Sequence, residues 1–251
     1  MPLLYGLHDR QAAPHVPNGG WCVDTIALSD NPAPTQYDTR INWLVRVNWG
    51  YGSTGTIPLP GNDQLFWDRI AHYVHNSTGV HAWIIGNEPN HEQERPNGTY
   101  ITPLRYAEFF AKIRTLIKTI NPNARVIPAP CAPYHANPAN WLDYWRDMLG
   151  YIAKMGGCDG LAVHAYTRSS KPEDIASTAE MGAPLELQHS GFWTYVDALD
   201  EVPPSLRHLP AYITEFNELL DGGWHDANTG VVQAAGADIL EVPFTLLPDC
   251  E

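Results

Sequence analysis

Short apolar runs bounded by glycine, proline, asparagine or aspartate recur along the whole chain. Each run is nearly continuous in apolar residues rather than alternating, which is typical of strands buried on both faces of a parallel sheet. We therefore predict seven strands, at Pro2–Leu7, Trp21–Leu28, Trp43–Trp49, His81–Gly86, Ala124–Ala129, Gly160–Tyr166 and Pro210–Phe216.

Amphipathic helices are predicted between the later runs, where apolar residues recur at helical spacing. They are expected at 65–74, 102–120, 137–155 and 192–199, the second opening at Thr102-Pro103 and the third at Asn137-Pro138. Proline is favoured at the first helical position after a capping residue. Strands that alternate with helices indicate an α/β fold with a parallel sheet, and seven such units favour a TIM (β/α)8-type barrel.

Both ends of the pattern depart from a regular barrel. Residues 9–20 and 30–41 are too short and proline-rich for crossover helices, so loops are expected in the first two units. After the seventh run, a short helix is predicted at Thr229–Ala235, and Gly236–Glu251 does not form a clear eighth unit. We expect a single barrel domain over residues 1–251 that is incomplete or atypical at its C-terminus, with 236–251 as the atypical segment.

The composition restricts the classes of partner. Fifteen Lys and Arg against 28 Asp and Glu give the 251 residues a net charge of −13, which repels phosphate backbones and anionic lipids. We therefore expect no nucleic-acid partner and no membrane partner. No apolar run approaches the roughly 18 residues that a membrane-spanning helix needs.

The N-terminus and the cysteines bear on the compartment. Met1–His8 has neither a basic region nor a long apolar stretch, so no signal peptide is expected. The chain is then either cytoplasmic or the mature or truncated form of a secreted protein. Four scattered cysteines without a C-x-x-C spacing are expected to be free thiols, and neither a metal site nor a cofactor is predicted.

Two glutamates follow apolar strands at positions where a parallel barrel carries its reactive groups. Glu88 ends the fourth run and Glu215 ends the seventh, so the two are expected to face each other across the barrel mouth. Burial at the rim of the core is expected to raise a carboxyl pKa. A pair with one carboxyl protonated and one ionised is the apparatus that cleaves glycosidic bonds. Each glutamate taken singly could equally be a surface residue at a strand end.

Three short motifs carry a resemblance to a known group of enzymes. Asn87-Glu88-Pro89 ends the fourth run, His164-Ala165-Tyr166 the sixth and Thr214-Glu215-Phe216 the seventh. Over about residues 1–235 the chain resembles the retaining (β/α)8 glycoside hydrolases of clan A, of the family 5-like kind that includes cellulases, mannanases, β-xylosidases and β-galactosidases. The first motif is the most specific of the three.

The resemblance implies a function and roles for the motif residues. It implies a retaining hydrolase of β-linked oligo- or polysaccharide, with Glu88 as the general acid/base and Glu215 as the nucleophile. Asn87 would bind the sugar 2-hydroxyl, Tyr166 would hydrogen-bond the nucleophile and His164 would line the −1 subsite. The two carboxyl groups are then expected about 5–5.5 Å apart.

Further side chains are candidates for contact with the substrate. Arg46 lies within an apolar strand, where an arginine is costly unless paired, either with the nucleophile or in an ordinary buried salt bridge. Trp49 and Trp224, with Tyr51 and Tyr134, fall in or near loops at strand ends, where their rings could stack on sugars. His8 and Asp9 close the first strand and either touch the substrate or satisfy loop backbone.

The C-terminus departs from the resemblance. Clan members carry a tryptophan on an eighth strand beneath the −1 sugar, and no tryptophan follows Trp224 here. The alternative function is therefore a non-catalytic or weakly active carbohydrate-binding barrel. An open barrel also exposes strand edges and apolar faces, so a homodimer that covers them is expected.

Deletion of residues 237–251 tests the expected dimer. Burial of several hundred Å² of apolar surface is worth several kcal/mol, at about 25 cal/mol per Å², which is comparable with the net stability of a domain. We expect the deletion to cause aggregation or a change of oligomeric state, measured by light scattering. A stable monomer with and without the segment would contradict the dimer.

Overall fold

The computed structural model describes residues 6–136, 138–168, 172–220 and 223–224. One sheet contains five strands in chain order: β1 (Gly6–His8), β2 (Trp21–Ala27), β3 (Asn42–Asn48), β4 (Val80–Ile85) and β5 (Val126–Pro128). A second sheet contains β6 (Leu161–Thr167), β7 (Ala211–Leu220) and β8 (Gly223–Trp224). Neighbouring strands are parallel, except that β8 pairs antiparallel with the end of β7.

Helices connect the later strands. The α-helices are α1 (Asp63–Asn76), α2 (Pro103–Ile120), α3 (Trp141–Lys154) and α4 (Thr194–Asp200). Short 3₁₀ helices occupy Arg10–His15, Leu28–Asp30, Gly52–Thr54, Glu92–Glu94, Pro96–Gly98, Pro172–Ala176 and Pro204–Leu206. Between β1 and β3 the chain has 3₁₀ turns and loops without an α-helix, as the short, proline-rich connections predict.

An apolar cluster fills the space on the inner side of both sheets. Its members come from β2 to β7: Val23, Leu44, Ala82, Ile84, Ile127 and Ala162, with Trp21 and Tyr212 packed against them. Because six strands line one cluster, the two sheets curve around a common axis. The fold is therefore the predicted TIM-type (β/α) barrel, and it is incomplete: within the described ranges no backbone ladder joins β5 to β6 or β7 to β1.

Asp159 joins β5 to β6 where the ladder is missing. The Val126 N–H donates to Asp159 Oδ2 at 2.9 Å, and the Asp159 N–H donates to the Val126 carbonyl at 3.0 Å. The same carboxylate accepts from Arg114 at 3.0 Å and lies 3.1 Å from the Lys118 ammonium, both on α2. Burial alone would raise the pKa of Asp159, but these donors outweigh burial and hold the pKa below its usual range.

Capping side chains fix where the helices begin. Thr102 Oγ1 accepts from the Arg105 N–H at 3.1 Å and Pro103 is the first residue of α2, as predicted. The predicted opening of the third helix at Asn137-Pro138 is wrong by three residues. Asn140 is the cap of α3, because its Oδ1 accepts from the Leu142 N–H at 3.0 Å.

The helices pack on the outer side of the sheets through aromatic side chains. Trp141 and Trp145 of α3 are both buried, as their helical spacing predicts. Their indole N–H groups are satisfied, by Gln188 Oε1 at 2.7 Å and by the Ala198 carbonyl at 2.8 Å. Burial of large rings with bonded N–H groups stabilises this layer without a polar penalty.

Several sequence predictions fall on residues that the structure does not describe. They are the start of the first strand, the helix at Thr229–Ala235 and the segment Gly236–Glu251. Cys22, Cys131 and Cys158 are buried free thiols, as predicted. The described helices include none that is both long and apolar enough to cross a membrane.

Replacing Asp159 by alanine should weaken the junction of β5 and β6. The variant leaves the buried Val126 N–H without its side-chain acceptor, and we expect it to lower the free energy of unfolding by about 1–3 kcal/mol. Asp143→Ala, which removes an exposed carboxylate paired with Arg146 on α3, is the control and should cost less than about 1 kcal/mol. Urea unfolding at pH 7 measures both. Equal midpoints for the two variants would contradict the role of Asp159.

Candidate active site at the carboxyl ends of the strands

The carboxyl ends of the parallel strands bring most of the predicted site residues together. His8 ends β1, Arg46 lies in β3, Glu88 follows β4, and β6 and β7 contribute His164, Tyr166 and Glu215. In a parallel sheet these ends lie on one edge, so residues far apart in sequence meet there.

A β-bulge decides which way Glu215 points. In the pairing of β6 with β7, Val163 is opposite Ile213 but His164 is opposite Glu215, so Thr214 is an extra residue. Side chains alternate between the two faces of a regular strand. Without the extra residue, Glu215, three residues after the inward Tyr212, would therefore point outward. The extra residue reverses the alternation and brings Glu215 to the inner side.

One tyrosine hydroxyl lies between the two glutamates. The Tyr166 hydroxyl donates to Glu215 Oε2 at 2.8 Å and lies 3.3 Å from Glu88 Oε1. Glu215 Oε2 and Glu88 Oε1 are therefore separated by at most the sum of these two distances, about 6 Å. Burial raises the pKa of Tyr166 well above its usual value, so the hydroxyl keeps its proton and acts as a donor.

Glu215 is surrounded by cationic and donor groups. Arg46 Nη1 contacts Glu215 Oε1, and the same oxygen lies 3.4 Å from His8 Nε2 and 3.9 Å from His164 Nε2. Burial by itself would raise the pKa of Glu215, but His164, His8 and Arg46 outweigh it and hold the pKa far below its usual range. Glu215 is therefore ionised at neutral pH, and Arg46 and His8 are its partners.

Glu88 has a different environment. His164 is buried, and its Nδ1 lies 2.7 Å from Glu88 Oε1. Burial would raise the pKa of Glu88, but the hydrogen bond and charge of His164 outweigh it and lower the pKa. The expectation of a raised pKa at Glu88 is thus wrong, because the effect of the buried imidazole of His164 is larger than the effect of burial.

The backbone after β4 turns sharply to bring Glu88 inward. Gly86 has φ +85° and Glu88 has φ +36°, both in the left-handed region, which is uncommon for a residue with a side chain. Such a conformation persists only where the surroundings enforce it. Here Asn90 fixes the loop to the next strand end, because its amide exchanges two hydrogen bonds with the backbone of Ala132, at 2.9 and 2.8 Å.

Asn87 is paired with a third carboxyl group that the sequence analysis missed. Its Nδ2 donates to Glu94 Oε1 at 3.0 Å, and its backbone N–H donates to Thr56 Oγ1 at 2.5 Å. Burial raises the pKa of Glu94 to about 7. Glu94 lies in the polar 3₁₀ turn Glu92–Glu94, and no periodicity or motif singles it out.

The predicted aromatic residues divide into two groups. The ring of Trp49 packs in the helix layer, 6.2 Å from the Phe66 ring and 5.4 Å from the Arg69 guanidinium, so the predicted contact with substrate is not supported. Its neighbour Asn48 is on the inner side with Arg46, because side chains alternate along β3. Tyr51 is half exposed and interacts with Asn48 and Arg46, which leaves it as an aromatic ring beside the site.

Two of the remaining candidates, Tyr134 and Asp9, bond to backbone groups, and the surroundings of a third, Trp224, are not described. The Tyr134 hydroxyl donates to the carbonyl of Tyr166 and so holds the strand end that carries that residue. Asp9 accepts from the Gln11 N–H at 3.0 Å, which is the loop-backbone role. Trp224 lies in β8, and its side chain is outside the description. No group of three or more His, Cys, Asp or Glu in the described ranges could hold a metal ion.

Comparisons with known proteins identify the fold. No family model matches the chain, and no curated protein matches its sequence. A family 39 glycoside hydrolase from the gut symbiont Bacteroides cellulosilyticus WH2 is similar in structure, with a TM-score of 0.51 and 17% identity over 79% of this chain and 43% of that chain. A wild-type GH86 protein in complex with neoagarooctaose has a TM-score of 0.55 and 14% identity over 80% of this chain and 36% of that chain.

These solved structures support the architecture described above. Both are TIM-barrel proteins, and the similarity shows the (β/α) barrel fold. The chain spans less than half of the length of either one.

Replacing Arg46 by glutamine tests its pairing with Glu215. The variant keeps a buried carboxylate without its cation, which should cost about 3–5 kcal/mol of the free energy of unfolding at pH 7. Arg46→Gln/Glu215→Gln should be more stable than Arg46→Gln alone, because it removes the charge as well. Urea unfolding measures both variants at pH 7 and pH 4.

The pH dependence supplies the control. A lowered pKa means that Glu215 stabilises the wild-type fold at neutral pH and that this stabilisation is lost as the pH falls. The deficit of Arg46→Gln should shrink at pH 4, where the unpaired carboxylate takes up a proton. Equal stabilities of the single and double variants at both pH values would contradict the pairing.

Proposed function

We propose that this protein is a retaining glycoside hydrolase that cleaves β-linked oligo- or polysaccharide, with Glu215 as nucleophile and Glu88 as general acid/base. The observation that carries the proposal is the Tyr166 hydroxyl between the two carboxyl groups, which limits the distance between Glu88 Oε1 and Glu215 Oε2 to about 6 Å. Retaining glycosidases have carboxyl groups about 5–5.5 Å apart, and inverting ones need roughly 6.5–9.5 Å to admit a water.

The two carboxyl groups also have the unequal environments that the reaction needs. Glu215 is ionised and is held by Arg46, His8 and Tyr166, as a nucleophile must be. Glu88 faces His164 and Tyr166, and its oxygen Oε1 is 2.7 Å from His164 Nδ1. The pKa of Glu88 is lowered as well, so the two carboxyl groups differ in the groups they contact and not in the direction of their pKa shift.

The first step forms a covalent intermediate. A Glu215 oxygen bonds to the anomeric carbon, the bond from that carbon to the leaving oxygen breaks, and the leaving oxygen takes a proton from Glu88. The proton that makes Glu88 the acid lies in the 2.7 Å contact between Glu88 Oε1 and His164 Nδ1, and on the carboxyl oxygen it gives the neutral form of Glu88. A sugar that excludes water from the site favours that neutral form.

The second step releases the sugar. Glu88, now ionised, takes a proton from a water whose oxygen bonds to the anomeric carbon, and the bond to Glu215 breaks. Glu215 leaves as a carboxylate that Arg46 and Tyr166 stabilise again. Each proton and electron pair is returned, so the site needs no further reactant.

The substrate class rests on fold and resemblance together. The solved structures of similar fold are glycoside hydrolases, and the motif around Asn87 and Glu88 resembles that of clan A. In that resemblance Asn87 binds the sugar 2-hydroxyl and His164 lines the −1 subsite. Tyr51, half exposed beside Arg46, is the aromatic ring that we propose stacks on a sugar.

Leaving-group dependence tests the two roles. Glu215→Gln should lose at least roughly a thousandfold in kcat on every β-glycoside, because no nucleophile remains. Glu88→Gln should lose about 10²–10⁴-fold on unactivated glycosides but much less in the first step on dinitrophenyl glycosides, whose leaving group needs little protonation. Steady-state and burst kinetics on both substrate types measure this.

Glu92→Gln is the matched control, since Glu92 is an exposed glutamate in the turn that follows Glu88. It should retain wild-type activity. Equal losses for Glu88→Gln and Glu215→Gln on activated and unactivated glycosides would contradict the division of roles. Carbohydrate binding without turnover in the wild type would instead favour the non-catalytic barrel.

A further inference from the structure

Glu94 lies close to the two glutamates of the site but has a separate set of contacts. Its Oε1 accepts from Asn87 Nδ2 at 3.0 Å, and its Oε2 is buried and accepts no side-chain or backbone donor in the described part of the chain. A carboxylate with one buried oxygen that has no partner and a single donor on the other oxygen is poorly stabilised in the ionised state.

The amide of Asn87 is satisfied on one side only. Its Nδ2 donates to Glu94, whereas its Oδ1 is buried and has no hydrogen-bond partner among the described residues. An amide that is rotated by half a turn would exchange these two ends. Its Oδ1 would then face Glu94, which could serve as a donor only in the protonated form.

The backbones of these two residues are held in place by a third. The Thr56 N–H donates to the Glu94 carbonyl at 3.0 Å, and Thr56 Oγ1 accepts from the Asn87 N–H at 2.5 Å. The relative position of Asn87 and Glu94 is therefore fixed. The freedom that remains is the rotation of the Asn87 side-chain amide.

We propose that Glu94 is a positioning residue whose protonation state sets the orientation of the Asn87 amide. Ionised Glu94 captures Nδ2, as in the structure. Protonated Glu94 donates to Oδ1 and frees the two N–H bonds of Nδ2 for a hydroxyl of the sugar. The proposal rests on the proposed function in one respect, that Asn87 binds substrate.

The surroundings of Glu94 favour a change in its protonation state near neutral pH. Its pKa is raised to about 7, because burial and the nearby carboxyl groups of Glu88 and Glu215 raise it by more than the Asn87 hydrogen bond and Arg46 lower it. Tyr51 is a further titratable group that interacts electrostatically with Glu94, and burial raises the pKa of that tyrosine above its usual value. The carboxyl group is therefore the one among these neighbours that changes charge between pH 6 and 8.

The first experiment follows the Asn87 amide without any substrate. In protein labelled with ¹⁵N-asparagine, the side-chain amide signals of Asn87, identified by their loss in Asn87→Asp, should shift with a midpoint near pH 7. In Glu94→Gln the same signals should not shift, since glutamine does not titrate and its amide N–H is available to Oδ1 at every pH. In Glu92→Gln, the control from the same turn, they should shift as in the wild type. Signals that do not shift in the wild type, or that still shift in Glu94→Gln, would overturn the proposal.

The second experiment measures kcat/KM on a β-glycoside between pH 5.5 and 8.5. The wild type should lose about tenfold per pH unit above pH 7, because the productive amide orientation needs protonated Glu94. Glu94→Gln should keep its activity at pH 8, whereas Glu94→Ala should be at least about tenfold less active at every pH. Loss of activity in Glu94→Gln equal to that in Glu94→Ala would overturn the proposal. A merely structural carboxyl group gives no reason for Glu94→Gln to keep its activity at pH 8 while the wild type loses it.

The two experiments separate this proposal from the proposed function. If the wild type hydrolyses no glycoside but the amide signals of Asn87 shift in the wild type and not in Glu94→Gln, the hydrolase assignment fails and the coupling of Glu94 to Asn87 stands. If glycosides are hydrolysed but the amide does not respond to pH, the hydrolase assignment stands and the coupling is wrong.

Discussion

The buried contact between Arg46 and Glu215 is the interaction on which the arrangement of the site depends. Arg46 lies in the five-stranded sheet and Glu215 in the three-stranded sheet, and the described residues contain no backbone ladder between those sheets. His8 adds a second contact from β1 to the same carboxylate, at 3.4 Å. Side chains of the site thus join the two halves of the barrel where hydrogen-bonded strands do not. A buried charge must be compensated, so each half requires the other.

A second constraint acts on the loop after β4. The left-handed backbone at Glu88 is costly, and the surrounding hydrogen bonds of Asn90, Thr56 and Asn87 enforce it. The same bonds fix the carboxyl group beside His164. Strain and rigidity are therefore two aspects of one feature, which holds a reactive group in one position before any ligand arrives.

Three carboxyl groups within one site have three different electrostatic environments. Glu215 has a guanidinium, Glu88 has an imidazole, and Glu94 has a single amide donor. The pKa values of Glu215 and Glu88 are lowered and that of Glu94 is raised, because burial penalises the charged form and nearby donors and cations offset it at the first two groups. The number and charge of contacts, rather than depth of burial, separate the three groups.

The sequence by itself determined the order of the seven parallel strands, the helices α1, α2 and α4, and the position of Glu88 after its strand. It did not predict β8, and it ended the seventh strand at Phe216, whereas β7 continues past Glu215 to Leu220. The features it determined depend on periodicity, capping residues and local motifs, which are properties of neighbours in the chain. The alternation along β3 also follows from the sequence once Arg46 is taken as inward, so the outward packing of Trp49 could have been inferred.

Only the tertiary structure decided the rest. The bulge at Thr214 that turns Glu215 inward, the pairing of His164 with Glu88 and the burial of Glu94 beside Asn87 all depend on residues that are distant in sequence or on the register of two strands. The start of α3 at Trp141 rather than at Asn137 likewise depends on which asparagine caps the helix. Burial and hydrogen-bond partners set the protonation state of a side chain, and strand register sets the side to which it points. Both depend on the fold and not on neighbours in the sequence.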